Sequence, residues 1–129
     1  MRRFLWLWTP VILQMIAIFF ISNIPNLTEI PGGISDKTGH FIGYAILGAC
    51  LLRALAGGSR TGVNGATAGL AWLFSTLYGA TDETHQLFVP GRSASLLDLL
   101  ADAIGGAAVV LLIWGAAAWI ARMAKRREV

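Results

Sequence analysis

From Phe4 to Ser22 the chain reads FLWLWTPVILQMIAIFFIS, an apolar run without a single charged residue. About 20 such residues, at 1.5 Å of rise each, cross the ~30 Å hydrocarbon layer of a bilayer. This segment therefore restricts the chain to folds that satisfy their own backbone in lipid. Three further segments repeat the pattern: Thr38 to Ala56, Gly65 to Ala80, and Leu96 to Ile120. The third of the four is expected to continue helically through Asp82 to Phe88. With 56% apolar residues, 13% charged residues and a mean hydropathy of +0.66, the chain is too apolar for an ordinary water-soluble domain. The expectation is an all-α integral membrane bundle of four transmembrane helices, one domain over residues 1–129. Pro10 should bend the first helix, because the turn before it loses a backbone hydrogen bond. The opening MRR and its apolar run read as an uncleaved anchor, since FISNIPN offers no A-x-A cleavage site. Cys50, alone of its kind, reads as a small packing residue.

The charges are sorted by side. Arg2, Arg3, Arg53, Arg60, Arg122, Lys125, Arg126 and Arg127 fall on one side of the expected spans, and only Lys37 and Arg92 on the other. Juxtamembrane Lys and Arg favour the cytoplasm, which makes both termini cytoplasmic. The basic tail ARMAKRREV is short, lacks interleaved aromatics and abuts a span, so it anchors topology and no nucleic-acid partner is expected. Glu29, Asp36, Asp82, Glu83, Asp98 and Asp102 sort oppositely, leaving only Glu128 inside. Trp6, Trp8 and Trp119 lie where amphipathic rings settle at membrane interfaces. The glycines of IPGGIS read as a turn or re-entrant loop, and NLT at Asn26 matches a glycosylation triplet by chance as easily as by design.

Polar residues recur at helical spacing near the outer ends of the spans. Asp36, His40 and Tyr44 stand at i, i+4 and i+8, so they share one face of the second helix. Gly39 and Gly43 form a GxxxG on an adjacent stripe, which would bring a neighbouring helix close to His40. Asp82 shares a face with His85 and Gln86, and Asp98 shares one with Asp102. Asp102 falls about 9 Å inside its helix, where an unpaired carboxylate would cost a few kcal/mol. Between these helices VPGRSAS carries turn residues, an S-x-x-D helix start at Ser95, and Arg92, the only outer arginine. A guanidinium there suits pairing with carboxylates and equally suits gripping a phosphate or carboxylate ligand.

The residues Asp36, Lys37, His40 and Tyr44, written D-K-x-x-H-x-x-x-Y, resemble a signature of the VanZ-like family of small bacterial membrane proteins. Asp82, Glu83, Gln86, Phe88, Pro90, Arg92 and Asp98 match a second signature, D-E-x-x-Q-x-F-x-P-x-R-x-x-x-x-x-D, and Ser22 to Pro25 fits the family's exit from its first span. The resemblance runs from about Phe20 to Gly106. It implies a multi-pass protein of the bacterial inner membrane and a link to low-level resistance to teicoplanin, a glycopeptide that binds cell-wall precursors outside the membrane. No agreed catalytic mechanism comes with it. His85 occupies an unspecified position of the second signature.

Four uses of the cluster follow from its chemistry. It serves as an ion-pair lattice pinning helix ends, with Arg92 and Lys37 satisfying acids while Gln86 and Tyr44 bridge. It serves as a binding site in which Arg92 and Lys37 hold the anionic headgroup of a membrane lipid or lipid-linked cell-wall precursor, the site then comprising Asp36, Lys37, His40, Tyr44, Asp82, Glu83, Gln86, Arg92, Asp98 and Asp102. It serves as an enzyme, with His40 as general base, Asp82 or Glu83 as acid and Arg92 stabilising a transition state. A channel is the fourth, and would require an oligomer, which the sequence leaves open. A metal held by His40, His85 and carboxylates is a variant of the enzyme, but the chain lacks a local H-x-x-x-H or H-E-x-x-H pair, so neither a metal nor another cofactor is assigned. Five acids facing two fixed cations weigh against a lattice alone.

Overall fold

In a computed structural model, residues 1–27, 29–30 and 33–127 are described. They form four helices: α1 (Arg2–Ser22), α2 (Asp36–Leu55), α3 (Gly65–Gln86) and α4 (Leu96–Arg126). A minimal antiparallel ladder leads into α2, with β1 (Glu29–Ile30) paired to β2 (Ile34–Ser35). It is the only departure from an all-α architecture among the described residues. Pro31 and Gly32 of IPGGIS, Thr28 of NLT, and Glu128, the acid expected inside, lie outside the described residues. Asn26 takes a left-handed φ of 53° and its N–H donates to Pro90 O at 3.2 Å, so it ties the α1–α2 connection to the α3–α4 connection.

Local chemistry sets the helix ends. Ser35 caps α2 by accepting from Thr38 N, Asn64 and Thr67 cap α3 reciprocally, and the expected S-x-x-D start holds, with Ser95 Oγ accepting from Asp98 N. Helix α3 stops at Gln86, short of the expected Phe88, because Phe88 and Val89 turn back onto His85 and Gln86 ahead of Pro90 and the left-handed Gly91. Helix α4 runs past Ile120 to Arg126, where helix-forming ARMAKR places Lys125 and Arg126 against the negative end of the helix dipole. Helix α1 continues through Pro10.

Three of the helices, α1, α2 and α4, are long and apolar enough to cross a membrane. Helix α3 has 22 residues but carries GATDETHQ at its end, which dilutes its apolarity. Large apolar side chains cover the outside of all four helices, among them Phe20, Ile46, Phe74 and Leu112. Soluble proteins rarely leave such continuous apolar surface in water, so the outside is built for hydrocarbon.

Contacts fix the helix directions. Arg53 Nη1 donates to Trp6 O and Leu7 O, and Gln14 Nε2 to Gly43 O, so α1 and α2 are antiparallel. Lys37 meets Asp98 and His40 meets Asp102, so α2 and α4 are parallel. Trp72 Nε1 donates to Ala103 O, and Ser75 Oγ to Tyr44 O, setting α3 antiparallel to both. Helix α2 is central: its Tyr44, Leu47, Leu51 and Leu52 meet Leu7, Val11 and Ile18 of α1, Ala68 and Ala71 of α3, and Val110 of α4. Helix α1 packs chiefly on α2 and also touches α3, where Tyr78 Oη donates to Met15 O.

The closest backbone approach lies between α2 and α4 and does not use the expected Gly39/Gly43 stripe. A Cβ at Gly105 would overlap the Phe41 carbonyl oxygen, and one at Gly48 would lie 3.3 Å from Gly106 Cα. Gly43 meets only Ile18, at 3.8 Å, and faces α1. Gly105→Ala should therefore force the pair apart and destabilise the protein by about 1–3 kcal/mol, read as a lower unfolding temperature in detergent. Gly69→Ala, where a Cβ meets nothing within 4 Å, should leave that temperature unchanged or higher.

Candidate ligand-binding site

Each inner helix face changes character along its length. On α3 the buried stripe runs Ala71, Ser75, Gly79 and Glu83; on α4 it runs Val110, Gly106, Asp102 and Asp98; on α2 it runs Leu52, Gly48, Tyr44 and His40. Spacing of four keeps each set on one face. Small residues let the backbones close in, and the same stripes then deliver their ionisable groups to one end of the bundle.

There the side chains form one connected network. Asp102, fully buried, accepts through Oδ1 at 2.9 Å from His40 Nδ1, and Glu83 Oε1 lies 3.8 Å from the same nitrogen. Glu83 Oε2 accepts from Ser95 N at 2.6 Å. Gln86 Nε2 forks to Asp82 and Glu83 at 3.3 and 3.4 Å, and Gln86 Oε1 accepts twice from Arg92, at 3.1 and 2.9 Å. Arg92 Nη1 also donates to Leu27 O at 2.8 Å and sits 3.5 Å from Asp36. Lys37, largely exposed, pairs with the buried Asp98 at 3.0 Å. Adjacent Asp82 and Glu83 both turn inward by facing different helices: Asp82 meets α1 through Ser22 Oγ at 2.9 Å, while Glu83 meets α2 and the start of α4.

All ten expected site residues thus gather at one end of the bundle, Tyr44 beneath His40 with the two rings parallel and 6.3 Å apart. Tyr44 does not bridge as expected: its hydroxyl is buried with no hydrogen-bond partner among the described residues. His85 does not join His40, because its ring lies 4.8 Å from Phe19 against α1. The sequence reading missed Ser22 as a site residue, although a lone hydroxyl ending an uncharged run was the available signal. Ser75 and Gln14, which bond the backbone of α2, carried no such mark.

A cleft of about 310 Å³ opens between α1 and α2. At one end Ser22, Asp36, His40, Asp82 and Arg92 line it; further along, the wall becomes Ala17, Ile18, Ile42, Gly43 and Ile46. Lys37 does not line it. The cleft thus has one charged and one aliphatic end.

An apolar exterior and a buried ionisable network at one end, with a cleft between α1 and α2, define a membrane protein of the small helical-bundle class. A family model described as VanZ/LLP1 matches residues 5–120, and the chain belongs to this VanZ-like family. No curated protein and no solved structure matches the chain significantly.

Gln86 touches both of the acids left without Lys or Arg on α3 and two nitrogens of Arg92, so it is the hub of the network. Gln86→Ala strips partners from all three charged groups and should destabilise by about 2–4 kcal/mol. Ser22→Ala removes one donor from Asp82 and should cost about 1 kcal/mol. Thermal unfolding of both variants in detergent checks that order.

Proposed function

We propose that the protein is a four-span bacterial inner-membrane protein that binds a phosphate-bearing amphiphile, a membrane lipid or lipid-linked cell-wall precursor, in the cleft between α1 and α2. The observation that carries this reading is the wall of the cleft, which passes from Arg92, His40 and Asp36 to isoleucine within one continuous space. The span from Asp36 to Ile46 corresponds to roughly 15 Å of helix, enough for a headgroup and the first part of a chain. Arg92 presents its remaining N–H to a phosphate oxygen, and His40 lines the same cleft. The carboxylates of Asp36 and Asp82 on the same wall favour a head that also carries a donor, such as an amine or sugar hydroxyl. Lys37 is withdrawn from the headgroup role by its pairing with Asp98.

Topology follows from charge. The arginines at the α1 start and α2 end meet at one end of the bundle, where Arg53 stacks 3.7 Å over the Trp6 ring and Arg3 donates to Gly57 O. Juxtamembrane arginines favour the cytoplasm, so both termini are cytoplasmic and the polar cleft mouth faces the cell envelope. Holding a cell-wall precursor or its neighbouring lipid there would shield the target of teicoplanin, which is how the resistance associated with the family would arise.

The test is native mass spectrometry of the purified chain with phosphatidylethanolamine, phosphatidylglycerol and a polyprenyl phosphate. Retention of one class is expected, with Gly43→Leu, which fills the cleft, lowering affinity about tenfold or more while the fold persists. Arg92→Lys should bind more weakly than the parent and Arg92→Ala weaker still. Equal binding by parent and Gly43→Leu would remove the cleft from consideration; which arm binds separates glycerolipid from precursor.

A second reading rests on the His40–Asp102 contact. A carboxylate that fixes Nδ1 while the ring lines a cleft is the arrangement of a general base, and it supports acyl or phosphoryl chemistry on a lipid head. Turnover of lipid phosphates by the parent, lost in His40→Ala, would establish it; an inert parent leaves binding alone.

A further inference from the structure

The acids of the network outnumber its fixed cations. Lys37 takes Asp98 and Arg92 takes Asp36, while Asp82, Glu83 and Asp102 have no Lys or Arg partner among the described residues. These three are 4%, 5% and 0% exposed. Asp82 is met by two donors, Ser22 and Gln86. Glu83 and Asp102 instead close on the same nitrogen of His40, and one ligand atom from each of the three residues lies within 4.8 Å of the others. The second oxygen of Asp102, Oδ2, is buried without a hydrogen-bond partner. It points at Gly79 of α3, where a Cβ would stand only 2.6 Å from it. A carboxylate oxygen in that setting is expensive unless a proton or a cation meets it.

We infer that His40, Glu83 and Asp102 bind one divalent transition-metal ion of the Zn²⁺ or Mn²⁺ type. Donors ~2.1 Å from such an ion stand about 3.4 Å apart, so the 2.9 and 3.8 Å separations around Nδ1 need to change by only about half an ångström. One imidazole with two carboxylates is a donor set for these ions rather than for a soft metal such as Cu⁺. The ion cancels the charges of Glu83 and Asp102 that Lys37 and Arg92 leave uncompensated. Ligation through Nδ1 also fixes the ring proton on Nε2. His40 then becomes a hydrogen-bond donor on the wall of the cleft. The ion site stands on its own geometry, whether or not the cleft takes a lipid.

The experiment uses the full-length, tag-free chain purified in detergent without chelator from cells supplied with Zn²⁺ and Mn²⁺. Elemental analysis should find about one ion per chain. After stripping with a chelator, calorimetric titration with each ion should show saturable uptake and a higher unfolding temperature. Asp102→Asn and Glu83→Gln keep side-chain shape and should each lower affinity about tenfold or more. A parent that carries no metal and takes up neither ion saturably overturns the proposal, even if every variant misfolds. Uptake unchanged in both variants overturns it as well. Gly43→Leu separates this site from the cleft: it should keep the ion while losing the lipid.

Discussion

Everything at the polar end depends on how closely α2 and α4 approach. Glycine at 105 lets the Phe41 carbonyl in, and glycines 48 and 106 let the two backbones touch further down. Only then does His40 reach Asp102 across the interface and Lys37 reach Asp98 one turn above. The two helices run parallel, so their dipoles point the same way and give no attraction of their own. Packing and the cross-helix polar contacts must hold them together, as they do generally where lipid removes the hydrophobic drive between helices.

Depth then separates two kinds of charge. At the rim, Lys37 and Arg92 each take one acid, and the long lysine keeps its head partly in solvent while its partner is buried. Below them, Asp82, Glu83 and Asp102 are met by hydroxyl, amide, backbone and imidazole donors. Such groups satisfy lone pairs without cancelling charge. Breaking any one link leaves a carboxylate in low dielectric, which explains why a neutral residue, Gln86, occupies the centre: it alone offers a donor to two acids and an acceptor to a guanidinium.

The sequence displayed much of this because membrane helices must declare their inward faces. A charge within an apolar run has few places to go, so Asp36, His40, Asp98 and Asp102 at spacings of four already pointed to a common interior. The third helix was legible for the same reason, though its end was not: Pro90 and Gly91 were visible as turn residues, but the helix stops at Gln86 and the turn begins with Leu87. What spacing could not reveal was which neighbour each face meets. Gly39 and Gly43 carry the familiar close-packing pattern yet face α1 across the cleft, while the tight contact falls on Gly105 and Gly48, which form no such pair on one helix. Likewise Glu83, sequence neighbour of Asp82, points to a different partner, and His85 turns to Phe19. Side chains drawn from three helices leave no local motif, so the grouping of His40, Glu83 and Asp102 appears only in three dimensions.

The lattice and the ligand are not competing accounts of Arg92. Of its five N–H groups, two go to Gln86, one to Leu27 and one faces Asp36 at 3.5 Å. One has no partner among the described residues, and the arrangement of the others holds the guanidinium on the cleft wall. A guanidinium pinned in this way loses little side-chain entropy when a phosphate arrives, but it offers one strong contact where a free arginine would offer a bidentate pair. In the proposed reading, affinity would come from an aliphatic chain along Ile18, Ile42 and Ile46, and specificity from the few groups with unspent hydrogen-bonding capacity. The lattice therefore shapes the cleft, and in the proposed reading the chain of a lipid would fill it, which is why a residue added at Gly43, which takes part in none of the network's side-chain bonds, discriminates between the two more cleanly than removal of Arg92.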